Sequence, residues 1–128
     1  MRFFFTIFIF LISSCSSQMN IEKFKGSQPT LTLEDYFEGK TEAWGMFHDR
    51  FGNLKRTFKV DITGTIESNT LTLDEKFLYD DGEQDSRVWT IKILGNNQYS
   101  GTASDVVGEA KGIASGNALN WQYRLNLK

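Results

Sequence analysis

Beyond Gly39 the chain alternates between apolar and polar positions. From Lys55 to Ile66, Phe58, Val60, Ile62 and Ile66 share one parity, and Lys55, Thr57, Lys59, Asp61, Thr63 and Thr65 share the other. A period of two is the mark of a strand with one face buried. Leu71, Leu73, Phe77 and Tyr79 repeat it, as do Trp89, Ile91 and Ile93, and finally Leu119, Trp121, Tyr123, Leu125 and Leu127. No long helical period appears. The pattern predicts about seven strands, at 41–49, 54–66, 71–79, 85–94, 98–104, 109–115 and 118–127. One short helix precedes them: Thr32 can cap it, Asp35 stands at the capping-box position and Gly39 ends it.

Short connections make neighbouring strands antiparallel, and parity fixes register, because a one-residue slip inverts a strand. A two-residue turn at Ser68-Asn69 sets Ile62 opposite Glu75, Val60 opposite Phe77 and Phe58 opposite Tyr79. A three-residue loop at Gly95-Asn96-Asn97 sets Trp89 opposite Ala103 and Ile91 opposite Gly101. Gly116-Asn117 sets Trp121 opposite Gly112 and Leu119 opposite Ala114. Large inward residues therefore face glycine and alanine, which makes either aromatic cover in a filled core or the wall of a cavity. The fold class is all-β: an antiparallel up-and-down meander, closed into a lipocalin-like barrel or left incompletely closed. Leu127 lies on a strand with nothing following it. The last strand then either pairs with the first, near Trp44, or leaves an open edge through which chains self-associate.

Composition narrows the classes. The 128 residues suit one domain, and a formal net charge of −2 lacks the basic face of a nucleic-acid binder. One cysteine excludes an internal disulfide framework, and one histidine excludes multi-histidine zinc sites.

The first residues read as an address. Phe3 to Ile12 is apolar apart from Thr6, and ten helical residues rise only about 15 Å, too short to span a bilayer and right for a signal-peptide core. Leu11-Ile12-Ser13-Ser14-Cys15 resembles the cleavage and lipidation box of bacterial lipoproteins. That resemblance implies a signal peptide over 1–14 and acyl chains of the palmitate kind on Cys15; two or more chains anchor stably where one does not. Ser16 at the following position implies the outer membrane, at its periplasmic face. Residues 15–31 then form the lipidated cysteine and a flexible tether, and 32–128 the β-barrel-like domain.

A second resemblance covers most of residues 32–125. Tyr36-Phe37-Glu38-Gly39, the run Gly45 to Gly52, Asp80-Asp81-Gly82-Glu83, the run Asp105 to Gly112, Gly116-Asn117-Ala118 and Trp121-Gln122-Tyr123 are similar to bacterial lipoproteins grouped as domain of unknown function 3833. The resemblance implies a lipocalin-like fold with no catalytic machinery. It also implies a chain shortened at its C-terminus, which bears on barrel closure.

Catalytic constellations are missing. His48 and Asp49 have no positioned serine, and Gly112 to Gly116 is not a nucleophile elbow. Gly108 to Gly112 lacks phosphate-loop spacing. Asp80, Asp81, Glu83 and Asp85 crowd one hairpin tip without calcium-loop spacing. No catalytic residue, metal ligand or cofactor is assigned.

Two charges on the inward parity carry more information. With Asp80 to Gln84 as the loop, Phe77 opposes Arg87 and Glu75 opposes Trp89, so Glu75 and Arg87 are diagonal neighbours. They form an ion pair, or Arg87 is a rim arginine in water, or they anchor a ligand head group in an apolar pocket. The loops at 49–53, 80–84 and 104–108 fall at one end and mark the mouth, near His48, Arg56, Tyr79, Arg87 and Asp105. The ligand-binding candidates are Arg87, Glu75, Arg56, Tyr79, Trp44, Trp89 and Trp121. The expected function is non-catalytic binding of a small lipid or fatty acid; the alternative is a structural module of the envelope with a filled core and a protein partner.

Overall fold

A computed structural model describes residues 19–127. The signal-peptide and Cys15 assignments lie outside the described residues. Seven strands run β1 (Gly39–His48), β2 (Leu54–Glu67), β3 (Thr70–Tyr79), β4 (Gln84–Gly95), β5 (Gln98–Thr102), β6 (Val106–Ser115) and β7 (Ala118–Leu125). Each pairs antiparallel with the next in chain order, and the sheet curls into a half-barrel. Among the described residues β1 and β7 do not pair, so the barrel is incompletely closed.

Parity sets the register as the sequence requires. Val60 faces Phe77, Ile91 faces Gly101, and Trp121 faces Gly112. The β2–β3 turn places Ser68 at φ 54°, and the β4–β5 loop places Asn96 and Asn97 at φ 53° and 59°. The inward residues of all strands gather on the concave face. Val60, Ile62, Leu71, Leu73, Trp89, Ile91, Tyr99, Ala110 and Ala114 form the buried core there.

One register differs from the expectation. Glu75 lies directly opposite Arg87, and Leu73 opposite Trp89. The β3–β4 hairpin is two residues tighter than a loop of 80–84: the Tyr79 N–H bonds the Glu83 carbonyl, and the Gly82 N–H bonds the Tyr79 carbonyl. Gly82, at φ 88°, takes the left-handed position that ends such a three-residue loop. A shift of two preserves every face, so parity could not detect it. In β6 a bulge between Val107 and Lys111, with Gly108 at φ 66°, lets pairing begin at Val106 and not at 109.

The short helix α1 (Leu33–Phe37) plugs the end of the half-barrel that carries the tight turns. Leu33 is buried in the core. The Phe37 carbonyl lies against Gly64, where any Cβ would collide, which explains a glycine in mid-strand. Thr32 precedes the helix, but its hydroxyl donates to Asp35 and caps no backbone N–H. The latch is Tyr99: its hydroxyl accepts from the Leu33 N–H at 3.3 Å and donates to Glu34 at 2.8 Å. Burial first, with the Glu34 carboxylate, pushes the Tyr99 hydroxyl up to about 12.

The described part of the expected tether is docked. A 3₁₀ turn (Ile21–Phe24) packs on β6 and β7. Ser27 bonds the Asn117 N–H at 3.0 Å, and the Leu31 N–H bonds the Gly116 carbonyl at 2.8 Å. Gly116, at φ 55°, lies under the Phe24 carbonyl, so no side chain fits there. These bonds fix the segment at the β6–β7 turn.

Candidate functional site

The concave face holds a cavity of about 250 Å³. Leu33 and Phe37 close one end, Phe58, Leu73 and Trp89 line the floor, and Trp121 and Tyr123 stand on the open side. The inward aromatic residues do not fill the half-barrel, because one curled sheet lacks an opposing layer to pack against them. Both halves of the earlier alternative apply to Trp121. Its ring covers Gly101 and Gly112, where an added Cβ would stand 2.7 and 2.5 Å from it, and it also lines the cavity. Trp89 meets Trp121 and Tyr123 edge-on, each at 5.2 Å between centroids. Such contacts stiffen a wall beyond the effect of burial alone.

Two polar side chains break this apolar lining: Glu75 and Arg87. They do not satisfy each other. Arg87 Nε donates to the Asp105 carboxylate at 3.0 and 3.1 Å, and Nη2 donates at 2.8 Å. The Arg87 side chain is 14% exposed, and its guanidinium lies 5.6 to 5.8 Å from the rings of Phe77, Trp89 and Tyr123. The hydrogen bonds from Arg87 hold Asp105 below its ordinary range. The expected Glu75–Arg87 ion pair is thus corrected: the bidentate partner of Arg87 is Asp105, on the loop before β6. A planar guanidinium favours that two-oxygen geometry.

Glu75 Oε2 is buried with no hydrogen-bond partner. Burial pushes the Glu75 carboxyl up to about 7; the Arg87 charge pulls it back, the Asp105 charge adds to the rise, and the neighbouring Trp89 indole N–H lowers it a little. A neutral carboxyl is less costly than a buried carboxylate in such surroundings.

The remaining candidates separate into two places. Arg56 and Tyr79 stand together at the mouth, where the guanidinium stacks on the Tyr79 ring at 3.5 Å. Arg56 also bonds Asp81 at 3.1 Å and Glu83 at 2.9 Å, so the acidic hairpin tip is engaged with an arginine. Among the described residues no group of three or more acidic, histidine or cysteine side chains is placed to hold a metal ion. Trp44 is not brought to the cavity. It lies on the convex face, 72% exposed, with the Lys59 ammonium 5.8 Å from its ring. Its parity opposes that of Ala43 and Phe47, so it belongs to the outward set.

The sequence reasoning did not include Asp105, Phe77 and Tyr123 among the site residues. Inward parity marks both aromatic residues. Asp105 carries no such mark, since it reaches Arg87 only through the turn in which the Val106 N–H bonds the Ala103 carbonyl.

No curated protein and no solved structure matches the chain. A family model does: residues 9–128 match the protein of unknown function DUF3833, and the chain belongs to that family.

Proposed function

We propose that this protein is a lipoprotein of the outer membrane, anchored by acyl chains on Cys15, whose half-barrel binds a small amphipathic ligand without catalysis. One observation carries the binding reading. An apolar cavity of about 250 Å³ is lined by two charged side chains, Glu75 and Arg87. Charged groups converging in an apolar cavity are the mark of a site that orients a ligand's polar end. The volume is near the lower end of small-molecule sites, and the gap between β1 and β7 lets a longer chain extend outward.

Non-denaturing mass spectrometry tests this reading. The protein purified under mild conditions carries a small-molecule adduct, and Leu119→Trp, which fills the cavity from the open side, loses it. Absence of any adduct, together with no uptake of added lipid, contradicts it. Cys15→Ser tests the anchor: the precursor stays uncleaved and takes up no labelled fatty acid, and labelling of that variant contradicts lipidation at Cys15.

The open edges of β1 and β7 favour the second reading, an interaction module of the envelope. Unpaired strand groups invite a further strand, from another copy or another protein.

A further inference from the structure

We propose that the cavity selects single-chain amphiphiles with a carboxylate head, and that each enters with one proton, shared between its carboxylate and Glu75 beside the Arg87–Asp105 pair. This inference rests on the binding reading above. It follows from which hydrogen-bonding positions are still open. Asp105 occupies Nε and Nη2 of Arg87 and leaves Nη1. Glu75 offers Oε2. A carboxylate has two oxygens and takes one donor from each, provided that Glu75 carries a proton. Without it, two carboxylates meet beside an arginine that Asp105 already neutralises, and like charges sharing a site raise one of the two pKa values strongly.

Among the described residues, β1, β2 and α1 bring no further charged group to Glu75. Opposite Glu75, β2 presents Ile62, with Val60 and Phe58 along the same face. From β1 come Ala43 and Phe47. Arg56 is held at the mouth by Asp81 and Glu83, and Tyr79 lies beneath it. Glu34 of α1 is tied to Tyr99 at the far end. From β7, Tyr123 lines the wall beside Arg87. Cationic heads fit poorly: the three rings that would stabilise an ammonium already surround the Arg87 guanidinium. The head sits toward Arg87 and the mouth, and the tail runs over Leu73 toward Leu33 and Phe37. Burial supports the proton's presence, since it pushes Glu75 up to about 7.

The test uses the purified full chain with laurate, dodecanol and dodecylamine as probes, titrated calorimetrically from pH 6 to 8.5. Laurate affinity falls about tenfold per pH unit above roughly 7, as uptake of one proton requires. Titrations at pH 8 in buffers of different ionisation enthalpy show one proton taken up per laurate. Glu75→Gln, whose amide donates at every pH, flattens the dependence. Tighter binding of dodecylamine than laurate overturns the proposal. So does laurate affinity that is unchanged between pH 6 and 8.5, or an undiminished slope in Glu75→Gln. Binding of none of the three probes at any pH removes the binding reading itself, and this proposal with it.

Discussion

Glu75→Gln should make the protein clearly more stable at pH 8 and only slightly more stable at pH 5. The carboxyl rises from 4.5 in the unfolded chain to about 7 in the fold. Between those values the folded chain keeps a proton that the unfolded chain has released. Stability therefore declines as pH rises through this window, and the decline is complete above about 7. A rise of that size corresponds to about 3 kcal/mol at 1.36 kcal/mol per pH unit. Water entering the open cavity lowers the figure, so about 3 kcal/mol is an upper value. The amide keeps the shape and cannot ionise. Asp105 does not confuse the measurement, because its lowered pKa moves its contribution to more acidic conditions. Urea unfolding followed by tryptophan fluorescence gives the free energies. The gap between Glu75→Gln and the natural protein should open from under about 1 kcal/mol at pH 5 to as much as about 3 kcal/mol at pH 8. An equal gap at both pH values would show that Glu75 is solvated or ion-paired, and would refute its assignment as a buried acid.

Three further outcomes follow from the packing. Gly112→Ala puts a Cβ against the Trp121 ring and should cost about 1–3 kcal/mol in thermal or urea unfolding; a neutral result would mean the ring swings away freely. In a double-mutant cycle, Arg87→Met and Asp105→Ala should couple by more than about 1 kcal/mol, and Arg87→Met with Glu75→Gln by less; the reverse ranking would restore the Glu75–Arg87 pair. Light scattering of residues 16–128 should show mass growing with concentration, through the unpaired edge from Trp121 to Leu125. A monomer at high concentration, with slow amide exchange along that stretch, would contradict it.

The meander was legible because one face of each strand is buried and the turn residues are short and specific. Ser68-Asn69 and Gly116-Asn117 leave a single register once Val60, Trp121 and Leu119 must face inward. The β3–β4 register was not legible, because Asp80-Asp81-Gly82 accepts more than one loop length and a shift of two keeps all faces. That difference replaced a diagonal Glu75–Arg87 relation with a direct one. Even so, the direct neighbour lost Arg87 to Asp105, which approaches from a loop with no periodic signal. Trp44 was misplaced for a different reason: aromatic character alone drew it to the site, although its parity matches the outward Met46. The docking of residues 21–31 was also hidden, since it rests on the Leu31 N–H and the Ser27 hydroxyl reaching the β6–β7 turn, which no periodic apolar pattern marks.

Three tryptophans provide the most direct test of the central claim, that the concave cavity is the binding site. Trp89 and Trp121 line it, and Trp44 stands outside on the convex face. Fluorine NMR of the 5-fluorotryptophan-labelled protein resolves one signal for each, assigned by single Trp→Phe variants. On titration with laurate at pH 6, the Trp89 and Trp121 signals should shift together and saturate, while Trp44 stays in place. A shift confined to Trp44, or no shift at millimolar laurate, would contradict the account.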